Sequence, residues 1–209
     1  MLAKPPGRSG RPRPASSPTT IAAPGQVRII GGSLRGSRLP VLAAPGLRPT
    51  PDRVRETLFN WLRPRLPGAR VLDLFAGSGA LGIEACSQGA GPVTLVEREP
   101  ALAAHLRAQL ARLKVAAEAV QVVPADALAW LRSAVVEPVD LALLDPPYAL
   151  DLWQPALDLL CARGWLKEGA LVYLEWPRER PAPQPPAEWH WHRQAQAGGL
   201  GFGLLARSA

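Results

Sequence analysis

A mostly parallel α/β sheet covered by helices on both faces is the fold class predicted for residues 69–209, on two observations. From residue 69 onward, short apolar runs alternate with longer stretches of helical periodicity, which is the pattern of strand–helix–strand units. The run "VDLALL" (139–144) is apolar almost throughout, as a strand buried on both faces must be, and it stops at Asp145-Pro146-Pro147-Tyr148. Two prolines with fixed φ and no N–H end any strand or helix. At 209 residues the chain suffices for one substantial domain with an appendage.

Taken in order, residues 1–25 are rich in Pro, Gly, Ser and Arg without periodicity, and are expected to form a disordered basic tail. Residues 26–68 are expected to form a separate N-terminal unit. In "VRIIGGSLRGSRLPV" two apolar stretches flank Gly31-Gly32 as in a β-hairpin, with Arg28, Arg35 and Arg38 along it. In "LRPTPDRVRETLFNWLRPRLPG" Thr50 suits a helix N-cap, Pro51 the first helical position and Asp52 the positive helix end. Val54, Leu58, Trp61 and Leu62 recur at helical spacing, so Arg53 and Arg55 are expected to face solvent or a partner.

Strands are then predicted at 69–75, 92–97, 120–125, 139–144 and 170–176. Helices are predicted in "ALGIEACSQG", over 100–114 and 127–134, and in "LWQPALDLLCARGWL" with Pro155 in its first turn. The Pro-rich link 177–187 leads to "WHWHRQ" and "GLGFGLLAR", an antiparallel closing pair.

The net charge of +7 is unevenly spread. Residues 1–70 hold 13 Lys/Arg against two acids, and residues 71–209 hold 11 against 15. A basic front on a mildly acidic body suits a polyanion-binding arm beside a chemical core, although arginine-rich solubilisation gives the same totals. The N-terminus has no apolar signal core and no run reaches the roughly 18–20 residues of a membrane span, so a cytoplasmic protein is expected. Cys86 and Cys161 lie in apolar segments; a disulfide and buried thiols are both open, with thiols expected. Cys/His spacing fits no zinc site, and His190 and His192 lack a third ligand, so no metal is expected.

In parallel sheets ligands sit beyond the C-terminal strand ends. The sequence places an acid at each of four such ends: Asp73, Glu97, Asp126 and Asp145. Gly77, Gly79 and Gly82 make a G-x-G-x-x-G loop between strand and helix, where glycine permits a tight turn. A pyrophosphate on that loop would be repelled by Asp73 four residues upstream. An amino-acid moiety suits both features, its ammonium on Asp73 and its carboxylate on the loop amides. S-adenosylmethionine carries that moiety and a sulfonium, with Glu97 placed for the ribose hydroxyls and Asp126 for the adenine amine. Asp126 is equally placed to cap the next helix. A nucleobase amine is a poor nucleophile because its lone pair is delocalised. The Asp145 carboxylate and the Pro146 carbonyl, stiffened by Pro147, offer acceptors for it, and Tyr148 a stacking surface.

The stretches "DLFAGSGALGIEA" and "DPPY" resemble class I S-adenosylmethionine-dependent amino methyltransferases. With "RPTPDRVRETLFNWL" upstream, the chain closely resembles the RsmD family, bacterial enzymes that methylate a guanine N2 in small-subunit (16S) ribosomal RNA. The resemblance runs from about residue 27 to the C-terminus. It implies a Rossmann-like domain with a seven-stranded sheet, preceded by the hairpin-and-helix unit. It also implies a cofactor shell of Arg48, Thr50, Asp73, Phe75, Ala76, Gly77, Gly79, Glu97, Arg98, Asp126 and Ala127, with Asp145, Pro146, Pro147 and Tyr148 receiving the guanine. Phenylalanine is common in the family at the Tyr148 position, so the ring is expected to matter more than the hydroxyl. The RNA is expected to meet Arg28, Arg35, Arg38, Arg53 and Arg55. By the same resemblance a monomer is expected, acting on RNA within a small-subunit ribosomal particle.

Two departures from the family are the tail and the glycine-rich "AGGLGFGLL" of the last strand, where bulkier residues are expected. Three other functions compete. A DNA adenine-N6 methyltransferase would use the same loop and "DPPY", but a sizeable target-recognition domain is missing. A nicotinamide-dependent oxidoreductase leaves "DPPY" without a task. A non-catalytic RNA-binding or assembly protein explains only the basic front.

Overall fold

The computed structural model describes residues 25–42 and 50–208. The tail expected over residues 1–25 therefore lies outside the described residues except for Gly25, and so does Arg48. The elements run β1 (Gln26–Arg28), β2 (Arg38–Pro40), α1 (Asp52–Leu62), β3 (Val71–Asp73), α2 (Ala80–Ser87), β4 (Val93–Glu97), α3 (Pro100–Arg112), β5 (Val120–Pro124), α4 (Ala127–Ser133), β6 (Val139–Leu144), α5 (Trp153–Ala162), β7 (Leu166–Pro177), β8 (Trp189–Ala197) and β9 (Leu200–Arg207). One seven-stranded sheet has the order β5-β4-β3-β6-β7-β9-β8, parallel from β5 to β7 and reversed only at β9. Helices cover both faces, and each face buries its own apolar cluster.

The glycine-rich last strand has a packing explanation. A Cβ on Gly201 would stand 2.5 Å from Trp176, and one on Gly203 would stand 2.6 Å from the Arg193 carbonyl oxygen and 2.8 Å from Trp191. The indoles take the space that bulkier strand residues would fill elsewhere. Phe202, Leu204 and Leu205 remain buried. On the outer edge His190 and His192 lie exposed on β8, and no His/Cys/Asp/Glu cluster among the described residues could hold a metal. The cysteines are free thiols, but both are half-buried rather than buried.

The N-terminal unit differs from expectation in three respects. Gly31-Gly32 is not the reversal of the hairpin, because β1 and β2 are joined by a longer loop that lies on α2. There the Ser33 amide donates to the Ser87 carbonyl at 2.7 Å, and the Leu34 amide donates to Ser87 Oγ at 2.9 Å. Gly32 adopts φ +75°, and a Cβ there would lie 1.6 Å from the Ser87 carbonyl oxygen, so the close approach requires glycine. Thr50 is not the N-cap of α1; Pro51 holds that position and no side chain caps the helix. The Thr50 side chain is thereby directed elsewhere.

Arg55 is the third correction. It does not face solvent: it is fully buried, in a stripe with Val54, Leu58, Phe59 and Leu62. Its guanidinium donates to Glu84 Oε2 at 3.2 Å, to Asp52 at 2.7 Å, and to the carbonyls of Arg28 and Thr50. Glu84, also fully buried, accepts in addition from the Ile30 and Gly31 amides, each at 2.8 Å. The pair fastens hairpin, α1 and α2 together. Removing one partner of a buried pair strands the other charge, at a cost of about 3–5 kcal/mol. Arg55→Ala is therefore expected to lower the urea midpoint steeply, and Arg53→Ala, on the exposed face, to leave it in place.

Candidate active site

β3, β4, β5, β6 and β7 deliver their C-terminal ends to one rim, because parallel pairing aligns them. Asp73 pairs with Leu95 on β4 and with Leu143 on β6. A cavity of about 620 Å³ opens there. Asp73, Phe75, Ala76, Gly77, Glu97, Arg98, Asp126 and Ala127 line it together with Thr50 and all of Asp145-Pro146-Pro147-Tyr148. Gly79 stands back from the lining. It forms the αL turn that starts α2, at φ +78°, packed against Ile83 and Leu106.

The cofactor half of the cavity has a distinct polar layout. Asp73 is 1% exposed, and its Oδ2 accepts the Gly82 amide at 3.0 Å. Its Oδ1 is buried and has no partner among the described residues. Burial pushes the carboxyl from 3.8 to about 7, against the lowering pull of the Gly82 and Phe75 amides, with nearby Glu97 adding to the rise. An orphaned buried acceptor of this kind calls for a donor, and an ammonium supplies one. Glu97 accepts the Gly77 amide at 2.8 Å and the Glu99 amide at 2.8 Å. Each oxygen retains a second lone pair, which suits a pair of vicinal hydroxyls. Asp126 caps α4 by accepting from the Ala129 amide at 3.0 Å, so it is both a helix cap and a cavity wall. These residues fit S-adenosylmethionine: a carboxylate with one unpartnered oxygen for its ammonium, a fixed carboxylate for its ribose, and a loop of small residues between.

The other half is built around Asp145. Its Oδ2 accepts from the Thr50 hydroxyl at 3.4 Å. Loss of hydration, then Glu175, then Asp73 raise its proton affinity well above the usual carboxylate range, and the Thr50 bond opposes them. The Tyr148 ring stacks on Trp153 at 5.8 Å between centroids, and its hydroxyl donates to Glu175 Oε1 at 2.9 Å. The hydroxyl is thus engaged, beyond the role expected of the ring alone. Glu175 is absent from the candidates drawn from sequence: it lies inside the buried run of β7, which continues through Trp176 to Pro177. Arg28, Arg35, Arg38 and Arg53 are exposed on the N-terminal unit.

A parallel sheet of this order, with carboxylates from neighbouring strand ends around a glycine loop, defines the class I S-adenosylmethionine-dependent methyltransferase fold. Residues 27–205 match the family model described as Conserved hypothetical protein 95. The chain belongs to that family, the RsmD family. It is similar to Ribosomal RNA small subunit methyltransferase D of Haemophilus influenzae, 45% identical over 163 residues, which are 78% of this chain and 84% of that protein. The protein of the same name from Escherichia coli K12 is 47% identical over 159 residues, 76% of this chain and 79% of that one. Among solved structures, "Putative methyltransferase yhhF" from Escherichia coli superposes with a TM-score of 0.80 at 42% identity, over 88% of this chain and 99% of that one.

Proposed function

We propose that the protein transfers a methyl group from S-adenosylmethionine to the exocyclic N2 of a guanine in small-subunit (16S) ribosomal RNA. One observation carries this: the Asp73–Glu97 layout and Asp145-Pro146-Pro147-Tyr148 share a single cavity. The relatives named above support RNA of the small subunit as the substrate class.

When bound, S-adenosylmethionine supplies an electrophilic methyl on a sulfonium. Asp73 and the loop 75–77 hold its amino-acid end, and Glu97 its ribose. Asp145 and the Pro146 carbonyl accept hydrogen bonds from the target amine and draw its lone pair out of conjugation with the ring. Pro146 and Pro147 fix those acceptors, so that no reorganisation is needed when charge develops. Tyr148, braced by Trp153, offers the base a face, and the base must leave its stack to reach it. Alignment of nitrogen, methyl and sulfur then supplies most of the rate.

Arg28, Arg35, Arg38 and Arg53, exposed on the N-terminal unit, supply phosphate contacts. Replacing all four by alanine is expected to weaken RNA binding and to flatten its salt dependence. The slope of log affinity against log salt should diminish by about 0.7–0.9 for each phosphate left without its arginine. An RNA affinity unchanged across a salt series in that variant removes the assignment. The function is tested by mass spectrometry of ribosomal RNA nucleosides from cells with and without the gene. N2-methylguanosine in the small subunit should fall by one residue per particle. An unchanged nucleoside profile overturns the proposal.

A further inference from the structure

Glu175 has no task in the mechanism above, yet it adjoins both Asp145 and Tyr148. Leu144 on β6 pairs with Leu174 on β7, so Asp145 and Glu175 follow side by side on neighbouring parallel strands. Glu175 is 1% exposed. Its Oε1 accepts from Tyr148 and its Oε2 from Tyr173, both at 2.9 Å. Among the described residues no Lys, Arg or His forms an ion pair with Glu175 or with Asp145. A buried carboxylate without a cation is costly, and an apolar residue would serve the core of β7 better.

The groups around the two acids differ in kind. Asp145 is faced by Glu175 from β7, by Asp73 from β3 and by Thr50 from the segment before α1. Glu175 is faced by Tyr173 on its own strand, by Tyr148 from the loop after β6, and by Thr50. The exposed Arg180 reaches the Tyr148 carbonyl at 3.0 Å, not either carboxylate. Two phenolic donors favour negative charge on Glu175 in addition to the Thr50 hydroxyl that the two acids share, while Asp145 has Thr50 alone. Two like charges this close do not both ionise freely. Burial raises the proton affinity of Glu175 too, but three hydroxyls oppose that rise, whereas Asp145, opposed by Thr50 alone and faced by two acids, holds the proton of the pair more tightly.

We propose that Glu175 is a positioning residue whose buried charge makes Asp145 a proton acceptor rather than only a hydrogen-bond acceptor, and whose bond to Tyr148 sets the ring against the base. This rests on the amine methylation proposed above. In the transfer, the amine lone pair forms the N–C bond while the C–S bond breaks, its electron pair going to sulfur. The nitrogen then gives one proton to the Asp145 carboxylate, which passes it to solvent through the cavity. Asp145 ionises while positive charge lies opposite it. With the methyl group that charge passes to the nitrogen, and the ammonium so formed, far more acidic than the free amine, gives its proton to the carboxylate, whose proton affinity Glu175 keeps high.

The test is the titration of Asp145 in the full-length, RNA-free protein, followed by carbon-13 NMR of its carboxyl. Glu175→Gln keeps the shape and the acceptor for one tyrosine but removes the charge. It should lower the Asp145 midpoint by at least about one pH unit, a tenfold change in proton affinity. It should also reduce kcat about 10–100-fold, with KM for RNA and affinity for S-adenosylhomocysteine within about threefold, the order of one to two hydrogen bonds to a charged group. Tyr173→Phe, which leaves Glu175 one donor short, should move the midpoint the same way by less, and keeps the test usable if Glu175→Gln does not fold. An Asp145 midpoint unmoved in both variants overturns the inference. The titration needs no RNA, so a shifted midpoint in a protein that methylates no guanine overturns the functional proposal alone.

Discussion

Asp145→Ala is expected to abolish methyl transfer, lowering kcat by about 10³-fold or more while affinity for S-adenosylhomocysteine stays within about threefold. The physical reason is the division of the cavity. The cofactor-side groups are Asp73, Gly77 and Glu97 on β3, its loop and β4, and they bond to one another and to the Gly82 and Glu99 amides rather than to Asp145. The amine-side acceptors come from the end of β6, where Asp145 accepts from Thr50. Loss of the carboxylate removes the acceptor that localises the amine lone pair, and also the group that receives its proton. Transfer of radiolabelled methyl to small-subunit RNA, with calorimetric titration of the product cofactor, separates the two effects. Turnover within tenfold of the unaltered protein would show that the catalytic acid lies elsewhere.

The second large effect belongs to Asp73→Asn, which should weaken S-adenosylhomocysteine binding by about 100-fold, the worth of one or two charge-assisted hydrogen bonds. The pH dependence gives the sharper signature. In the free protein Asp73 holds its proton up to about pH 7. A bound ammonium favours the carboxylate, so binding releases a proton below that pH. Affinity is then expected to fall by up to about tenfold per unit as the pH drops below about 7, and to level off above it. Asp73→Asn should abolish the slope. Stability moves the other way. The folded pKa lies above the unfolded one, so the proton on Asp73 stabilises the free protein at low pH, and that contribution is lost as the pH rises through about 7. At about pH 8 the asparagine variant should therefore melt higher than the unaltered protein, although it binds the cofactor worse. Calorimetry in buffers of different ionisation enthalpy, with thermal melts at about pH 5 and about pH 8, measures both.

Much of this arrangement is legible in the sequence because a parallel sheet converts chain position into geometry. Asp73, Glu97, Asp126 and Asp145 each follow an apolar run, and parallel pairing must bring such residues to one rim. Glu175 obeys the same rule but sits inside β7, which runs on to Pro177, so it reads as the interior of a strand rather than its end. Arg55 escapes for a different reason. A helical stripe drawn from apolar residues alone leaves it out, yet it lies on that stripe, four residues before Phe59. Its partner is visible as the lone acid of "ALGIEACS", but no local pattern specifies that two charges 29 residues apart will meet in the core. Thr50 has ideal capping chemistry, and tertiary structure uses its hydroxyl on Asp145 instead. Local preference is worth about 1 kcal/mol at a cap, which a built site readily overrides. The Gly201–Trp176 and Gly203–Trp191 contacts pair residues from different strands, so the glycine-rich sequence of β9 reads as weak when taken alone.

The central claim is that one rim holds a methyl donor and a purine amine in line. A crystal structure grown with S-adenosylhomocysteine tests it most directly. The ligand's ammonium should lie on Asp73 Oδ1 and its ribose on Glu97, with its sulfur directed at the space beside Asp145 and Tyr148. A ligand bound outside that cavity, or one that leaves Asp73 Oδ1 without a donor, would contradict it.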